Sequence, residues 1–585
     1  MEKPPRRTMG PIKISVYDVN NRIASLVLSK GCAAVFLVVF FIAANALKVA
    51  IFDNLLINPP ASLWSSVPLP GLWTKGVAVG LLYVPLLLVR RPHAFIAVYC
   101  LQIVYMVVNL SYHFYFEGYL HVNQYLGLFS EALDLVKHSA VPRDAVLWFV
   151  LIDAPLFALI LFKYSPVVIF NRRHIIKKAF FALGIVLIIY AYEWDAIGKG
   201  ETALGIMNDA YSSNSRVVSK YGLFVFNIMD LLNYKDARSH IKSLDYGGEI
   251  SLPAADSTHP NFIVLQVESM DSYIVNCRYK ANQVMPFLHS LSKQSVYYPY
   301  TLSYHKAGST SDCEFSTING VEPFDDYPSI KIRNYDYPNS MLKPLTSAGY
   351  RTVAFHGNKG TYFNRNVAFK KMGFSAFYDM TSMGLTERVW GAPDGDVFNY
   401  VKGALATQKA PFFYYLITMS SHEPFNFVKS YYHTDLYDAI ADEASRNYYT
   451  AMSYVDGQIK DLVEYVCKTK DNTYIIIYGD HAPIIKKSFY KRASFIADAR
   501  LFEFVPLFIM TPGKTIYREN KRIASFLDVA PTLLTASKIA FSIKSSGSDL
   551  LAAPRGREKI MYSGGEYSRT DLFSRIQRAQ REPMR

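Results

Sequence analysis

Cysteine is scarce in this chain. Its 585 residues hold five: Cys32, Cys100, Cys277, Cys313 and Cys467. Cys32 and Cys100 fall in or near long apolar runs, which leaves three elsewhere and room for one disulfide at most. That excludes a disulfide framework, and no CxxC or Cys/His spacing of a zinc site occurs. Internal repeats and low-complexity tracts are also missing. Basic residues are missing locally: the segment 53–70 has no Lys or Arg, and 113–144 has few.

Hydrophobic residues are abundant, at 51% of the chain, and they are concentrated in the first third. Runs at 31–52, 71–89, 93–112, 145–163 and 177–193 each approach the roughly 20 residues that cross a bilayer. The first run starts late, is long and has four successors, so it is read as a span and not as a cleaved signal peptide. Lys and Arg cluster before the first run (Lys3, Arg6, Arg7, Lys13, Arg22, Lys30), at Arg90 and Arg91, and again from Lys163 to Lys178. Their alternation predicts five spans with the amino terminus in the cytoplasm. Everything after about residue 195 is then expected outside. Much of the formal charge of +14 flanks these runs, so nucleic acid is not expected as a partner.

The expected organisation has four parts. Residues 1–195 form an all-α membrane domain of five helices. Residues 196–260 are a connector with juxtamembrane helices; 216–234 is amphipathic and 245–260 is turn-rich. Residues 261–565 form an α/β catalytic domain, and 566–585 a basic carboxyl-terminal tail suited to solvent or to anionic headgroups. Strands are expected at 261–267, 351–356, 412–419, 473–478 and 504–510. Helices are expected at 285–295, 444–468 and 526–537.

Chemistry concentrates at the ends of those strands. The run TYIIIYGDH at 473–481 is a buried strand that stops at Gly479 and presents Asp480 and His481. A second strand, NFIVLQVES at 261–269, ends on Glu268. Parallel strands with polar tips place acids and imidazoles at the carboxyl edge of a sheet, where open α/β folds bind ligands. Two carboxylates and a neutral imidazole suit a divalent metal. Between the strands lies GSTSD at 308–312. A hydroxyl there sits at a helix start, where backbone N–H groups stabilise phosphoryl oxygens. Threonine is a weak nucleophile near neutral pH, and coordination to a metal activates it. Ser309, Thr310, Ser311 and Asp312 all make good helix caps, and on residue type alone the cap is the favoured role. His356 and Arg365, in FHGNKGTYFNR at 355–365, and His422, in SSHEPF at 420–425, are candidate phosphate donors, with Phe363 as a pocket wall.

Seven segments in this order carry a resemblance: QVES at 266–269, MPFLHSLSKQSVYY at 285–298, GSTSDCEF at 308–315, FHGNKGTYFNR at 355–365, SSHEPF at 420–425, YGDHAP at 478–483 and LDVAPTLL at 527–534. The chain resembles the lipoteichoic acid synthase and phosphoglycerol transferase group of the alkaline phosphatase/sulfatase superfamily. The resemblance implies a sulfatase-like extracytoplasmic domain on a multi-pass bacterial cell (inner) membrane protein. It implies Thr310 as nucleophile, with Glu268, Thr310, Asp480 and His481 at a manganese ion, or at magnesium or zinc. His356, Phe363, Arg365 and His422 would bind the phosphate or glycerol headgroup. The implied partners are a phospholipid donor, phosphatidylglycerol, and a glycan, glycolipid or polyglycerolphosphate acceptor. The alternative is a phosphoethanolamine transferase, whose soluble domain usually carries several disulfides. Three departures stand out. Phe363 replaces a common Trp, AGS precedes Thr310 where Gly-x-Gly-Lys is usual, and no Cys/Ser-x-Pro-x-Arg motif for formylglycine is present. The last argues against sulfate ester hydrolysis.

Overall fold

The computed structural model describes residues 30–57, 92–116, 149–163, 217–218 and 221–233, with isolated positions between them. It also describes 247–581, apart from short gaps at 256–257, 305–307, 325–327, 332–334, 390, 486–488, 498–499, 514–516, 554–557 and 563–564. The chain divides into two compact units. The first comprises 1–114, 122–124 and 139–233, and the second 115–121, 125–138 and 234–585.

In the first unit the described helices are α1 (Lys30–Ile57), α2 (Pro92–Phe116), α3 (Ala154–Lys163) and α4 (Leu223–Asn233). Three of them fall on expected spans or on the amphipathic stretch, and α1 covers the first apolar run. Among the described residues, one helix segment, His93–Leu110, is long and apolar enough to cross a membrane. The runs at 71–89 and 177–193 lie largely or wholly outside the described residues. The helices are joined by apolar and polar contacts. Tyr99 stacks on Phe157 with centroids 3.9 Å apart. Asp153 accepts from Asn45 at 2.7 Å, from Lys48 at 2.7 Å and from Tyr99 at 2.6 Å, all buried. A charge held in an apolar bundle needs such partners.

The second unit is built on a ten-stranded sheet. Its strands are β1 (Asn261–Val267), β2 (Val296–Ser303), β3 (Arg351–His356), β4 (Ala376–Tyr378), β5 (Phe412–Ile417), β6 (Thr473–Gly479), β7 (Ser494–Ala497), β8 (Arg500–Met510), β9 (Arg518–Glu519) and β10 (Ala524–Ser525). The order is β9-β2-β8-β6-β1-β5-β3-β4, with β7 on β8 and β10 on β2. From β6 to β4 all neighbours are parallel. β8 runs antiparallel to both β6 and β2. The central strands are apolar without alternation because both of their faces are covered. Every residue of β1 and β5 is buried.

The helices of this unit are α5 (Pro286–Leu291), α6 (Ser309–Asn319), α7 (Leu342–Ser347), α8 (Arg365–Met372), α9 (Asp394–Thr407), α10 (Glu443–Thr469), α11 (Val529–Ser537) and α12 (Arg569–Arg581). Asp442 caps α10 by accepting from the Ser445 N–H at 2.9 Å. Tyr448, Met452, Val455, Ile459, Leu462 and Val466 of that helix recur at three- and four-residue spacing. They join Ile263, Leu265 and Val267 of β1 in one core. Side chains alternate along a strand, so Gln266 points to the opposite face, where it meets α6.

The five strands expected from sequence lie where they were read, with β5 ending at Ile417 and β8 starting earlier, at Arg500. The helix expected over 285–295 is short, Pro286–Leu291, and runs into β2. Within 245–260, Gly248–Leu252 is a strand paired antiparallel with Phe541–Ser545. The carboxyl-terminal segment contains α12, whose first residue, Arg569, is 1% exposed. Its guanidinium donates from Nη1 and Nη2 to the two oxygens of Asp528 at 2.6 and 2.7 Å. Among the described residues Cys100, Cys277, Cys313 and Cys467 carry free thiols.

Candidate active site

Four parallel strands end level with one another. Val267 pairs with Gly479, while Gln266 and His356 both pair with Ile417. Their carboxyl ends therefore deliver Glu268, His356, the 418–425 loop and Asp480–His481 to one edge. Gly479 is required there, because a Cβ on it would lie 1.7 Å from the Met270 carbonyl oxygen. The chain can then turn sharply enough to bring Asp480 back against β1. The Asp480 N–H donates to the Val267 carbonyl at 3.2 Å, and Asp480 Oδ1 accepts from the Ser269 N–H at 2.8 Å.

Glu268, Asp480 and His481 converge, all buried, with their ligand atoms within 4.8 Å of one another. His481 Nε2 lies 3.1 Å from Glu268 Oε1 and 3.7 Å from Asp480 Oδ1. The donor set fits a divalent cation on two further counts. Asp480 Oδ2 is buried with no hydrogen-bond partner, a costly state that a cation would relieve. Burial and the neighbouring Glu268 push the Asp480 carboxyl up, and two acids held this close call for a positive partner. Burial also acts upward on Glu268, but His481 and His422 outweigh it and hold this carboxyl well below the usual range.

Thr310 is the second residue of α6, and its hydroxyl points into this cluster. Oγ1 donates to Glu268 Oε2 at 3.1 Å and lies 3.5 Å from His481 Nε2. It is not the helix cap. That position belongs to Gly308, where a Cβ would meet Ser311 Oγ at 2.3 Å. Ser311 donates to the Gly308 carbonyl at 2.8 Å, and Asp312 accepts from the Gly308 N–H at 3.0 Å. Of the four candidate caps, Ser311 and Asp312 are thus spent on the turn, and Ser309 and Thr310 line the pocket.

The other expected site residues gather around the same pocket. His356, Phe363, Arg365 and His422 all line it. Three imidazoles are oriented alike, with Nδ1 on a backbone carbonyl: His356 on Ile417 at 3.2 Å, His422 on Glu423 at 2.8 Å and His481 on Ala482 at 3.1 Å. A carbonyl can only accept, so Nδ1 is the N–H in each ring and Nε2 is turned to the pocket. Burial lowers His356 to about 3, assisted by Arg365, and also lowers His422. Two cations lie over the Phe363 ring, Lys331 Nζ 5.1 Å and Arg365 Cζ 5.2 Å from its centroid.

Backbone strain collects here. Ser269, Phe363 and Phe425 line the pocket with φ of 55°, 54° and 63°, and Asn364 follows Phe363 at 58°. Each costs on the order of 1 kcal/mol or more outside glycine, and such strain concentrates at functional sites.

Several residues at the site were not singled out from sequence. Gln266 donates to the Thr310 carbonyl at 3.2 Å. Glu314 binds Arg365. Buried Asn358 lines the pocket. Asp394 accepts from the N–H groups of Met419 at 2.7 Å and Ser420 at 3.1 Å, and Ser421 donates to the Glu268 carbonyl at 2.6 Å. Two of these had a readable signal. Glu314 is four residues after Thr310, hence on the same helix face. Gln266 is two before Glu268, hence on the same strand face. Asp394 is remote in sequence and had none.

Residues 260–539 match the Sulfatase family. The chain is 26% identical over 359 residues to lipoteichoic acid synthase 2 of Bacillus subtilis (strain 168), covering 58% of this chain and 53% of that protein. It is also 26% identical over 333 residues to the lipoteichoic acid synthase of Staphylococcus aureus (strain USA300), covering 53% and 49%. The chain thus spans about half the length of these two curated relatives. Among solved structures it is similar in fold to the integral membrane protein lipooligosaccharide phosphoethanolamine transferase A (EptA) from Neisseria meningitidis. There the TM-score is 0.51 at 14% identity, over 88% of this chain and 98% of that one.

Proposed function

We propose that the domain at residues 260–539, which matches the Sulfatase family, transfers phosphoglycerol from phosphatidylglycerol to a glycan or polyglycerolphosphate acceptor. The observation that carries this reading is the Thr310 hydroxyl, 3.1 Å from Glu268 Oε2 and beside His481 at the amino end of a buried helix. Glu268, Asp480 and His481 would hold the metal, taken as manganese, with magnesium or zinc suited to the same donors. When bound, the ion supplies Lewis acidity and lowers the pKa of the Thr310 hydroxyl.

The residues divide the work as follows. Thr310 Oγ1 forms a bond to phosphorus while the bond from phosphorus to the diacylglycerol oxygen breaks. The threonine proton goes to the departing diacylglycerol. Arg365 turns N–H donors toward the phosphoryl oxygens where charge builds, and His356 and His422 flank them, donating from Nε2 only when the ring takes up a second proton. Phe363 walls the headgroup. An acceptor hydroxyl then displaces Thr310 in the reverse sense and restores the hydroxyl. The absence of a formylglycine motif and the presence of Thr310 favour phosphoryl over sulfate chemistry. We further assign the catalytic domain to the extracytoplasmic face of a five-span inner-membrane protein, on the basic-residue asymmetry.

The test is incubation of the purified protein with defined phospholipids and manganese, read by mass spectrometry. Diacylglycerol released from phosphatidylglycerol, with glycerol phosphate on the Thr310 peptide, is expected. Release from phosphatidylethanolamine instead overturns the donor. A label on Ser309 or Ser311, or full turnover in Thr310→Ala, overturns the nucleophile.

A further inference from the structure

The helix that carries Thr310 carries a second acid. Glu314 lies one turn further along α6 and is fully buried. Its Oε1 accepts from Arg365 Nη2 at 2.6 Å, and Arg365 Nε lies 3.1 and 3.0 Å from its two oxygens. Arg365 is 3% exposed. Among the described residues that line the pocket, it is the one Lys or Arg. Glu314 therefore takes the Nε–Nη2 edge of the guanidinium, fixes its plane and cancels its charge.

Resting on the phosphoryl-transfer reading above, we propose that Glu314 sets the substrate class of this site. It keeps Arg365 as a source of oriented N–H donors but removes its net charge. The pocket then takes a singly charged phosphodiester and disfavours a doubly charged phosphomonoester. Glu268 and Asp480 stand together at the pocket, and Glu423 also lines it. One divalent ion balances that pair, and the Glu314–Arg365 pair is already neutral. The described residues that line the pocket therefore offer no net positive charge, and in a buried site that penalises a dianion more steeply than a monoanion. A phospholipid headgroup is a diester with one charge. A phosphomonoester carries between one and a half and two charges near neutrality, with a second pKa of about 6. The proposed cycle meets diesters throughout: the lipid, the threonine-linked intermediate and the product. Glu314 does not touch phosphorus on this account; it is a positioning residue that acts through Arg365.

The test uses the full chain in detergent with manganese, given 4-nitrophenyl phosphate and bis(4-nitrophenyl) phosphate. Glu314→Gln keeps the shape of the side chain and removes its charge. The ratio of kcat/KM for monoester over diester is expected to rise about tenfold. A merely structural role would lower both and leave the ratio where it was, and an unchanged ratio overturns the proposal. Should the variant fail to melt cooperatively, calorimetric titration of the natural chain with methyl phosphate and dimethyl phosphate gives the second reading. Methyl phosphate should bind more weakly at about pH 8 than at about pH 5, relative to dimethyl phosphate. Equal or tighter relative binding of the dianion overturns the proposal. Diacylglycerol release from phosphatidylglycerol is measured alongside. Its absence with a shifted ratio refutes the lipid donor alone; its presence with a flat ratio refutes the role of Glu314 alone.

Discussion

The side-chain amide of Gln266 donates to the backbone carbonyl of Thr310 at 3.2 Å. Gln266 is fully buried on the central strand, and its own oxygen accepts from Tyr415, whose hydroxyl lies 2.8 Å from that of Tyr478. Three adjacent strands thus hold the first turn of α6 in place. The position of the Thr310 hydroxyl relative to Glu268 is set by the sheet and not by the loop before it.

That linkage predicts a kinetic effect without a metal effect. In Gln266→Ala the Thr310 carbonyl loses its donor and α6 is free to shift. A displacement of about 1 Å at a reacting atom costs on the order of a hundredfold in rate. Turnover is expected to fall between tenfold and that value, roughly, while bound metal stays stoichiometric. A turnover within about twofold of the natural chain would show that the anchor is dispensable.

The proposed metal site predicts the converse. Asp480→Ala removes the buried oxygen that lacks a partner and is expected to lose metal and activity together, while the domain stays folded. Added manganese should raise the melting temperature of the natural chain, since a ligand that binds only the folded state stabilises it. The combined Glu268, Asp480 and His481 alanine variant should show no such rise. Stoichiometric metal in that triple variant, measured by mass spectrometry, would exclude the site.

His356 predicts an acid limb. Burial lowers its pKa in the folded chain from 6.5 to about 3. Folding thus favours the neutral ring, so the unfolded chain binds more protons between these values. The stabilising contribution is complete above about 6.5 and is lost as pH falls toward 3, by at most about 1.4 kcal/mol per pH unit. His356→Gln should flatten the decline of the urea midpoint over that window. An acid limb as steep as that of the natural chain would mean that other groups cause it.

The orientation of the chain is open to a simple reporter test. A phosphatase fused after residue 200 is expected to be active, and a fluorescent protein that matures only in the cytoplasm is expected to be dark. The opposite result would place Thr310 on the side of the membrane away from the proposed acceptors.

Local sequence was enough to place the sheet and its chemical tips. Strands β1, β3, β5 and β6 are apolar runs long enough to be buried on both faces, and each stops where a polar residue begins. Because parallel strands share one carboxyl edge, Glu268, His356, His422, Asp480 and His481 were bound to meet once those strands were read. Tertiary structure alone decided what each polar side chain does there. Residue type left Ser309, Thr310, Ser311 and Asp312 equivalent as caps; the bonds of Ser311 and Asp312 to Gly308 and the contact of Thr310 with Glu268 separate them. The pairing of Arg365 with Glu314, across 51 residues, and the hold of Asp394 on the loop 25 residues away are long-range contacts. The edge strand Gly248–Leu252 needs a partner almost 300 residues later, and α12 is fixed by the burial of Arg569 against Asp528. Short polar segments such as these have no periodicity of their own. They take their structure from the surfaces on which they land, and a reading of local pattern has no access to those surfaces.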